Sequence, residues 1–217
     1  MDSRAARNLY GGATFFCVAM STAACVNVRA FGDAPSRRMP PVVVSRPESS
    51  VVVARPPSAR PGISRSDAEF FSAHPLMVPV EGVMPASLRD TFNEARNGGR
   101  THQATDIPAP RGTAVLAATD GRIIKLSQNG AGGTTIYVAD ADGRYIEYYG
   151  HLQAYADGVR DGLEVKEGDL IGFVGTTGNA PPDTPHLHFQ VMRSDRDYWN
   201  GTPVDVRLYM TKPGRRR

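Results

Sequence analysis

From residue 101 onward the chain runs in short apolar–polar stretches broken by glycine-containing dipeptides. "TAVLAAT", "GRIIKLS", "TTIYVAD", "RYIEYYGHL", "DLIGFVG" and "HLHFQVM" are rich in β-branched and aromatic residues, and each predicts a strand. Asp120-Gly121, Asn129-Gly130, Asp142-Gly143 and Asp161-Gly162 stand between them and are turn dipeptides of the hairpin type. The spacing predicts an all-β fold, an antiparallel sandwich or barrel-like hybrid of short strands and hairpins. Residues 87–96 carry helical propensity with few apolar positions and predict a short helix ahead of the strands.

Upstream the pattern disappears. Residues 31–75 are rich in Pro, Ser and Arg, without helical periodicity, and read as a disordered linker. Prolines flank both "VVV" runs, which argues against strands there. In extended form such a linker spans on the order of 140 Å, at ~3.1 Å per residue. The folded domain is expected over residues 76–217. The first thirty residues read as an export signal, with Arg4 and Arg7 before an uncharged run from Leu9 to Val28. "TAAC" resembles a bacterial lipobox with Cys25 as the lipidated residue, although Thr22 departs from its usual first position. Cleavage after Ala30 and an uncleaved membrane anchor are the alternatives. All three put the protein in the exported cell envelope: periplasmic, or attached to the membrane through a lipid on Cys25.

Charge sharpens this division. From Leu76 onward there are 16 Lys/Arg against 17 Asp/Glu, a balance of −1; residues 1–75 carry 9 against 5, or +4, and the two recover the net +3. Basicity thus belongs to the tail, which argues against a nucleic-acid-binding domain and for contact with an anionic surface. Both cysteines, Cys17 and Cys25, lie in the export segment, so the domain has no disulfide, thiolate metal site or cysteine nucleophile.

Candidate chemistry centres on histidine. "PHLHFQ" sets His186 and His188 two apart on a strand, where both side chains face one side. "RTHQATDIPAP" supplies His102 and Asp106, and Pro108 and Pro110 favour a turn entering a strand over a helix there. His and Asp suit zinc, whose catalytic sites use three protein ligands and one open position. His151, in "EYYGHLQAY", ends an aromatic strand. His74 has no such setting.

This constellation resembles the LytM/lysostaphin family of zinc endopeptidases, over roughly residues 78–209. His102 and Asp106 match its H-x-x-x-D element, "HLHFQV" its H-x-H strand and "YGHL" its separate catalytic histidine. "GTAVLAATDGRI" and "VKEGDLIGFVGTTGNAPPDTPHLHF" follow its connecting pattern. The resemblance implies a monomeric zinc hydrolase acting on the peptides of peptidoglycan. It implies zinc on His102, Asp106 and His188, with His186 and His151 as catalytic neighbours. Where the family often has glycine, this chain has Ala104, which would be strained if that position required φ > 0. Some proteins of this fold have lost zinc ligands and activate separate wall amidases; the intact ligand set argues against that role here.

Overall fold

A computed structural model describes residues 62–96, 98–194 and 201–217. The export segment, Cys25 and the first part of the linker lie outside the described residues.

The linker as read extends too far. Helix α1 (Arg65–Ala73) falls within residues 31–75, and it is capped and docked. The Ser64 hydroxyl accepts from the Asp67 N–H and donates to the Asp67 carboxylate at 2.5 Å, a Ser-x-x-Asp start of the capping type. Asp67 is buried and also accepts from the Tyr145 hydroxyl at 2.7 Å and from the Arg193 guanidinium. Phe71 is buried against Tyr145, with ring centroids 4.6 Å apart. His74 closes the helix and stacks on Phe70, away from the other histidines.

The strands are β1 (Leu76–Met77), β2 (Ala95–Arg96), β3 (Arg100–Thr101), β4 (Thr105–Pro108), β5 (Ala114–Leu116), β6 (Gly121–Asn129) and β7 (Gly133–Asp140). They continue as β8 (Tyr145–Tyr155), β9 (Glu164–Val165), β10 (Leu170–Val174), β11 (His186–Arg193), β12 (Thr202–Val204) and β13 (Met210–Lys212). All six strands expected from the periodicity are present. A nine-stranded sheet runs β12-β11-β8-β7-β6-β9, with β4 on β11 and β10 bridging β5 and β8. β1 pairs with β13 in parallel, whereas the pairs within the large sheet are antiparallel.

The helix expected over residues 87–96 does not form. A single 3-10 turn at Pro85–Ser87 gives way to irregular chain and then to β2. Leu88 and Phe92 are buried there, and the backbone and hydroxyl of Thr91 between them bond to the segment that carries His102 and Asp106. Those tertiary bonds outweigh a weak local propensity.

Side chains on one face of the sheet form the core, with Ile107, Ile123, Ile136, Tyr149, Leu152, Leu187 and Phe189 essentially without solvent contact. Glu147 lies buried among them. Hydroxyls of Tyr149 and Thr119 donate to its two oxygens, and the Tyr149 oxygen accepts from the Ala118 N–H at 3.0 Å. Burial pushes the Glu147 carboxyl up to about 7.

Two predictions follow from this packing. Phe71→Ala should lower the unfolding free energy by about 3–5 kcal/mol, the cost of emptying an aromatic site. Urea melts of the two proteins check this, and an unchanged midpoint would mean that α1 does not belong to the domain. The second concerns pH. Between the ordinary value of 4.5 and about 7, folded Glu147 holds a proton that the unfolded chain has released. Its contribution therefore falls as pH rises through that window, by an amount on the order of 3 kcal/mol. Glu147→Gln cannot titrate, so its stability relative to the parent should climb from pH 4.5 to 7 and level off above. A difference that stays constant with pH would contradict the buried neutral acid.

Candidate metal centre

Strand β11 alternates. Leu187, Phe189 and Val191 enter the core, while His186, His188 and Gln190 face a groove on the other side. β4 lies antiparallel beside it, so Asp106 is directly opposite His188 and Pro108 opposite His186. Cross-strand neighbours of this kind have Cβ atoms only ~4.5–5.5 Å apart. Ile107, between Asp106 and Pro108, is fully buried and anchors β4 in that register.

His102 arrives from the turn before β4. Its Nε2 lies 3.0 Å from His188 Nδ1 and 3.0 Å from Asp106 Oδ1, and His188 Nδ1 lies 3.1 Å from the same oxygen. Three donor atoms thus form a nearly equilateral triangle, the one His/Cys/Asp/Glu group among the described residues with metal-binding geometry. The other ring nitrogen of His102 donates to the Thr91 carbonyl at 2.9 Å, which leaves Nε2 bare in the neutral ring. A bare nitrogen facing a carboxylate oxygen sets lone pair against lone pair, an arrangement that a cation between them relieves. A triangle of this size accommodates an ion ~2.0–2.1 Å from each corner, and two imidazoles with one carboxylate are a donor set that suits zinc. The residues fit the metal.

Burial alone would raise the Asp106 pKa, but the facing nitrogens of His102 and His188, whenever they carry a proton, hydrogen-bond the carboxylate and hold it well below the usual carboxylate range. Its second oxygen accepts from Arg96 at 2.6 Å. Burial lowers the pKa of His188.

His151 reaches the same groove through an irregularity. Strict alternation would place it on the core face with Glu147 and Tyr149. Between β7 and β8, however, Thr134 pairs with Leu152 and Ile136 with Tyr149, so three residues on β8 span two on β7. This bulge, with His151 at φ 61°, turns the imidazole to the Tyr148 side. Its ring centroid lies 5.0 Å from that of His186 and 5.6 Å from that of His188. His151 Nδ1 is 2.8 Å from the Thr177 carbonyl, and His186 Nδ1 is 2.8 Å from the Thr184 carbonyl. Both rings therefore donate through Nδ1 and keep Nε2 as an acceptor; the His186 Nε2 lies 3.8 Å from Asp106 Oδ1. Burial pushes the His151 pKa down to about 4, so the ring is neutral at pH 7.

The structure brings together all five residues singled out in the sequence: His102, Asp106, His151, His186 and His188. It also adds supports that the sequence reading missed. Thr91 holds three parts of the first element through its carbonyl and hydroxyl, and Thr177 ties β8 to β7 by accepting from Thr134 N–H and donating to the Leu152 carbonyl. The strain expected at Ala104 is absent. Ala104 is buried, and the left-handed residue of that turn is its neighbour Gln103, at φ 59°.

The groove encloses about 1340 Å³. That exceeds the ~300–1,000 Å³ typical of small-molecule pockets and suits an extended ligand.

Residues 100–206 match the model of peptidase family M23. The L-Ala–D-Glu endopeptidase of Bacillus subtilis is 35% identical over 125 residues, which are 54% of this chain and 38% of that protein. The glycyl-glycine endopeptidase ALE-1 of Staphylococcus capitis is 35% identical over 119 residues, 54% of this chain and 31% of that protein. The solved structure of the antimicrobial peptidase lysostaphin from Staphylococcus simulans aligns with a TM-score of 0.50 at 26% identity, covering 61% of this chain and 53% of that one. The chain spans about a third of the length of these two curated relatives.

Proposed function

The chain belongs to peptidase family M23 through residues 100–206, and on that premise we propose that it is a zinc-dependent endopeptidase hydrolysing peptide bonds of peptidoglycan stems or cross-links. The observation that carries the proposal is the triangle of His102 Nε2, Asp106 Oδ1 and His188 Nδ1, with two further imidazoles beside it. These three residues would hold the metal. When bound, zinc supplies Lewis acidity, polarising a carbonyl and lowering the pKa of a coordinated water from ~16 toward ~7.

His151 and His186 carry the proton chemistry. Each presents a bare Nε2 to the groove, held there by the bond of Nδ1 to a backbone carbonyl. A neutral imidazole accepts the proton of the attacking water and passes it to the departing amine. A protonated one stabilises the oxyanion that forms at the scissile carbonyl. The two residues divide these roles. Arg96 holds the second oxygen of Asp106, which keeps the first directed at the histidines.

The relatives act, by their names, at L-Ala–D-Glu in one case and at glycyl-glycine in another, with equal identity to this chain, so similarity does not choose the bond. An envelope location accords with such substrates. No helix among the described residues is long and apolar enough to cross a membrane. We place the attachment, if the lipobox reading of "TAAC" holds, at an acylated Cys25.

His102→Ala, Asp106→Ala and His188→Ala should purify largely without zinc and without activity, because two protein ligands hold the ion poorly. His151→Ala and His186→Ala should retain most of their zinc but hydrolyse wall fragments ~10²–10³-fold more slowly. Zinc content measured beside hydrolysis rate checks all five. Loss of metal from His186→Ala with retention by His188→Ala would reverse the two assignments, and activity in a zinc-free variant would remove the metallopeptidase reading. For the anchor, Cys25→Ala should shift the protein from the membrane fraction to the soluble one; an unchanged distribution, or a mature N-terminus at Phe31, removes the lipoprotein.

A further inference from the structure

We infer that Asn129, an exposed residue at the end of β6, is a positioning residue for the reaction: its side chain shapes the hairpin tip whose carbonyl holds His151 in the groove. The inference rests on the endopeptidase reading and adds to it a residue that lies outside the groove lining.

Asn129-Gly130 has the composition of a two-residue hairpin turn but is not used as one. A type I′ turn would put both residues at positive φ, and neither takes it. Asn129 instead pairs with Gly133 as the last residue of β6. The loop is residues 130–132, and the left-handed position falls on Gly133, at φ 69°. The backbone therefore does not call for asparagine at 129. The side chain does. Its Oδ1 accepts from the Ala131 N–H at 3.0 Å and from the Gly132 N–H at 2.7 Å. Gly132 is buried, so its N–H needs a partner within the protein, and Asn129 supplies it.

That bond grips one edge of the peptide plane between Ala131 and Gly132. The Asn179 N–H grips the other edge, donating to the Ala131 carbonyl at 3.0 Å. The orientation of this plane sets where the next carbonyl can point, and that carbonyl, of Gly132, accepts from the His151 N–H at 2.7 Å. No side chain can stiffen Gly132, because a Cβ there would fall 1.8 Å from the Tyr148 hydroxyl. Glycine has wide conformational freedom, so hydrogen bonds must aim its carbonyl. His151 needs that aim: at φ 61° its backbone sits in the left-handed region that residues with a Cβ avoid. The path runs from Asn129 Oδ1 through the amide and carbonyl of Gly132 to the backbone of His151, and so to its imidazole.

Two substitutions in the full chain test this. Asn129→Ala removes the acceptor, whereas Asn129→Asp keeps an oxygen at the same reach. Zinc content, kcat and KM on soluble wall fragments, and amide hydrogen exchange at His151 are measured for both and for the parent. Asn129→Ala should keep its zinc and its KM but lose about tenfold in kcat, because a displaced proton-transfer group slows the chemical step. Its His151 amide should exchange about tenfold faster than the parent's, while the amides of β11 keep their protection. Asn129→Asp should restore both quantities. A merely structural role would lower the melting temperature and leave kcat per folded molecule and the His151 exchange unchanged. That result would overturn the inference and leave the endopeptidase reading intact. So would an effect confined to KM, a loss of kcat without faster exchange at His151, or an Asn129→Asp as slow as Asn129→Ala. A zinc-loaded parent that cleaves no wall fragment would overturn that reading, and the inference with it.

Discussion

Asp106 stands across from His188 because β4 pairs with β11 in a single register, and a slip of one residue would turn the side chains of the moving strand to the opposite face. The register is held from the core side. Ile107 on β4 and Leu187 and Phe189 on β11 are fully buried, and a slipped strand would drive a histidine or an aspartate into their place. The apolar half of the H-x-H strand is thus as necessary to the polar half as the histidines are to each other. Hydrophobic burial fixes where the ligands point, and three groups that would otherwise repel are kept together by packing on the opposite face of the same strands.

Two residues depart from regular backbone to complete the arrangement, Gln103 and His151, both left-handed. Such conformations cost of order ~1–3 kcal/mol each for residues with a Cβ. His151 is held by its N–H to the Gly132 carbonyl at 2.7 Å and by its ring to Thr177. The loops that supply those partners lie against each other so closely that side chains cannot fit. A Cβ on Gly133 would come 2.2 Å from the Thr177 hydroxyl, and one on Gly178 would come 2.3 Å from the Gly133 nitrogen. Glycine is required at both positions for close approach as well as for positive φ. The bulge in β8 is therefore locked from two neighbouring segments, and the histidine it re-aims is positioned by the sheet as a whole.

The parts of this site legible in the sequence were those with a fixed period. Two-residue alternation placed His186 and His188 on one face, and runs of β-branched and aromatic residues located all six principal strands. What escaped depended on partners far along the chain. The short strands β2, β3, β9 and β13 have two or three residues each and no pattern to read. Helix α1 carried a Ser-x-x-Asp start and a Phe-Phe pair, yet its surroundings of Pro, Ser and Arg masked it; the buried Asp67–Tyr145–Arg193 contacts and the packing of Phe71 on Tyr145 make it part of the domain. Residues 87–96 failed as a helix for the converse reason, since Thr91 is bound by the His102 segment.

The tautomers of the site could not be read from any side chain. His102, His151 and His186 each direct Nδ1 at a main-chain carbonyl, of Thr91, Thr177 and Thr184 respectively. A carbonyl only accepts, so each ring must keep its proton on Nδ1 and expose Nε2 as a lone pair. Had carboxylates or hydroxyls filled these places, either ring nitrogen could have been served as protonation changed. Backbone partners remove that freedom: they cannot be substituted and they cannot titrate. The basic nitrogen of three separate histidines is aimed into one groove by the path of the chain, and a substitution elsewhere disturbs it only by moving that path. His188 is the exception: its Nδ1 faces Asp106 and His102 directly, and no backbone carbonyl claims it.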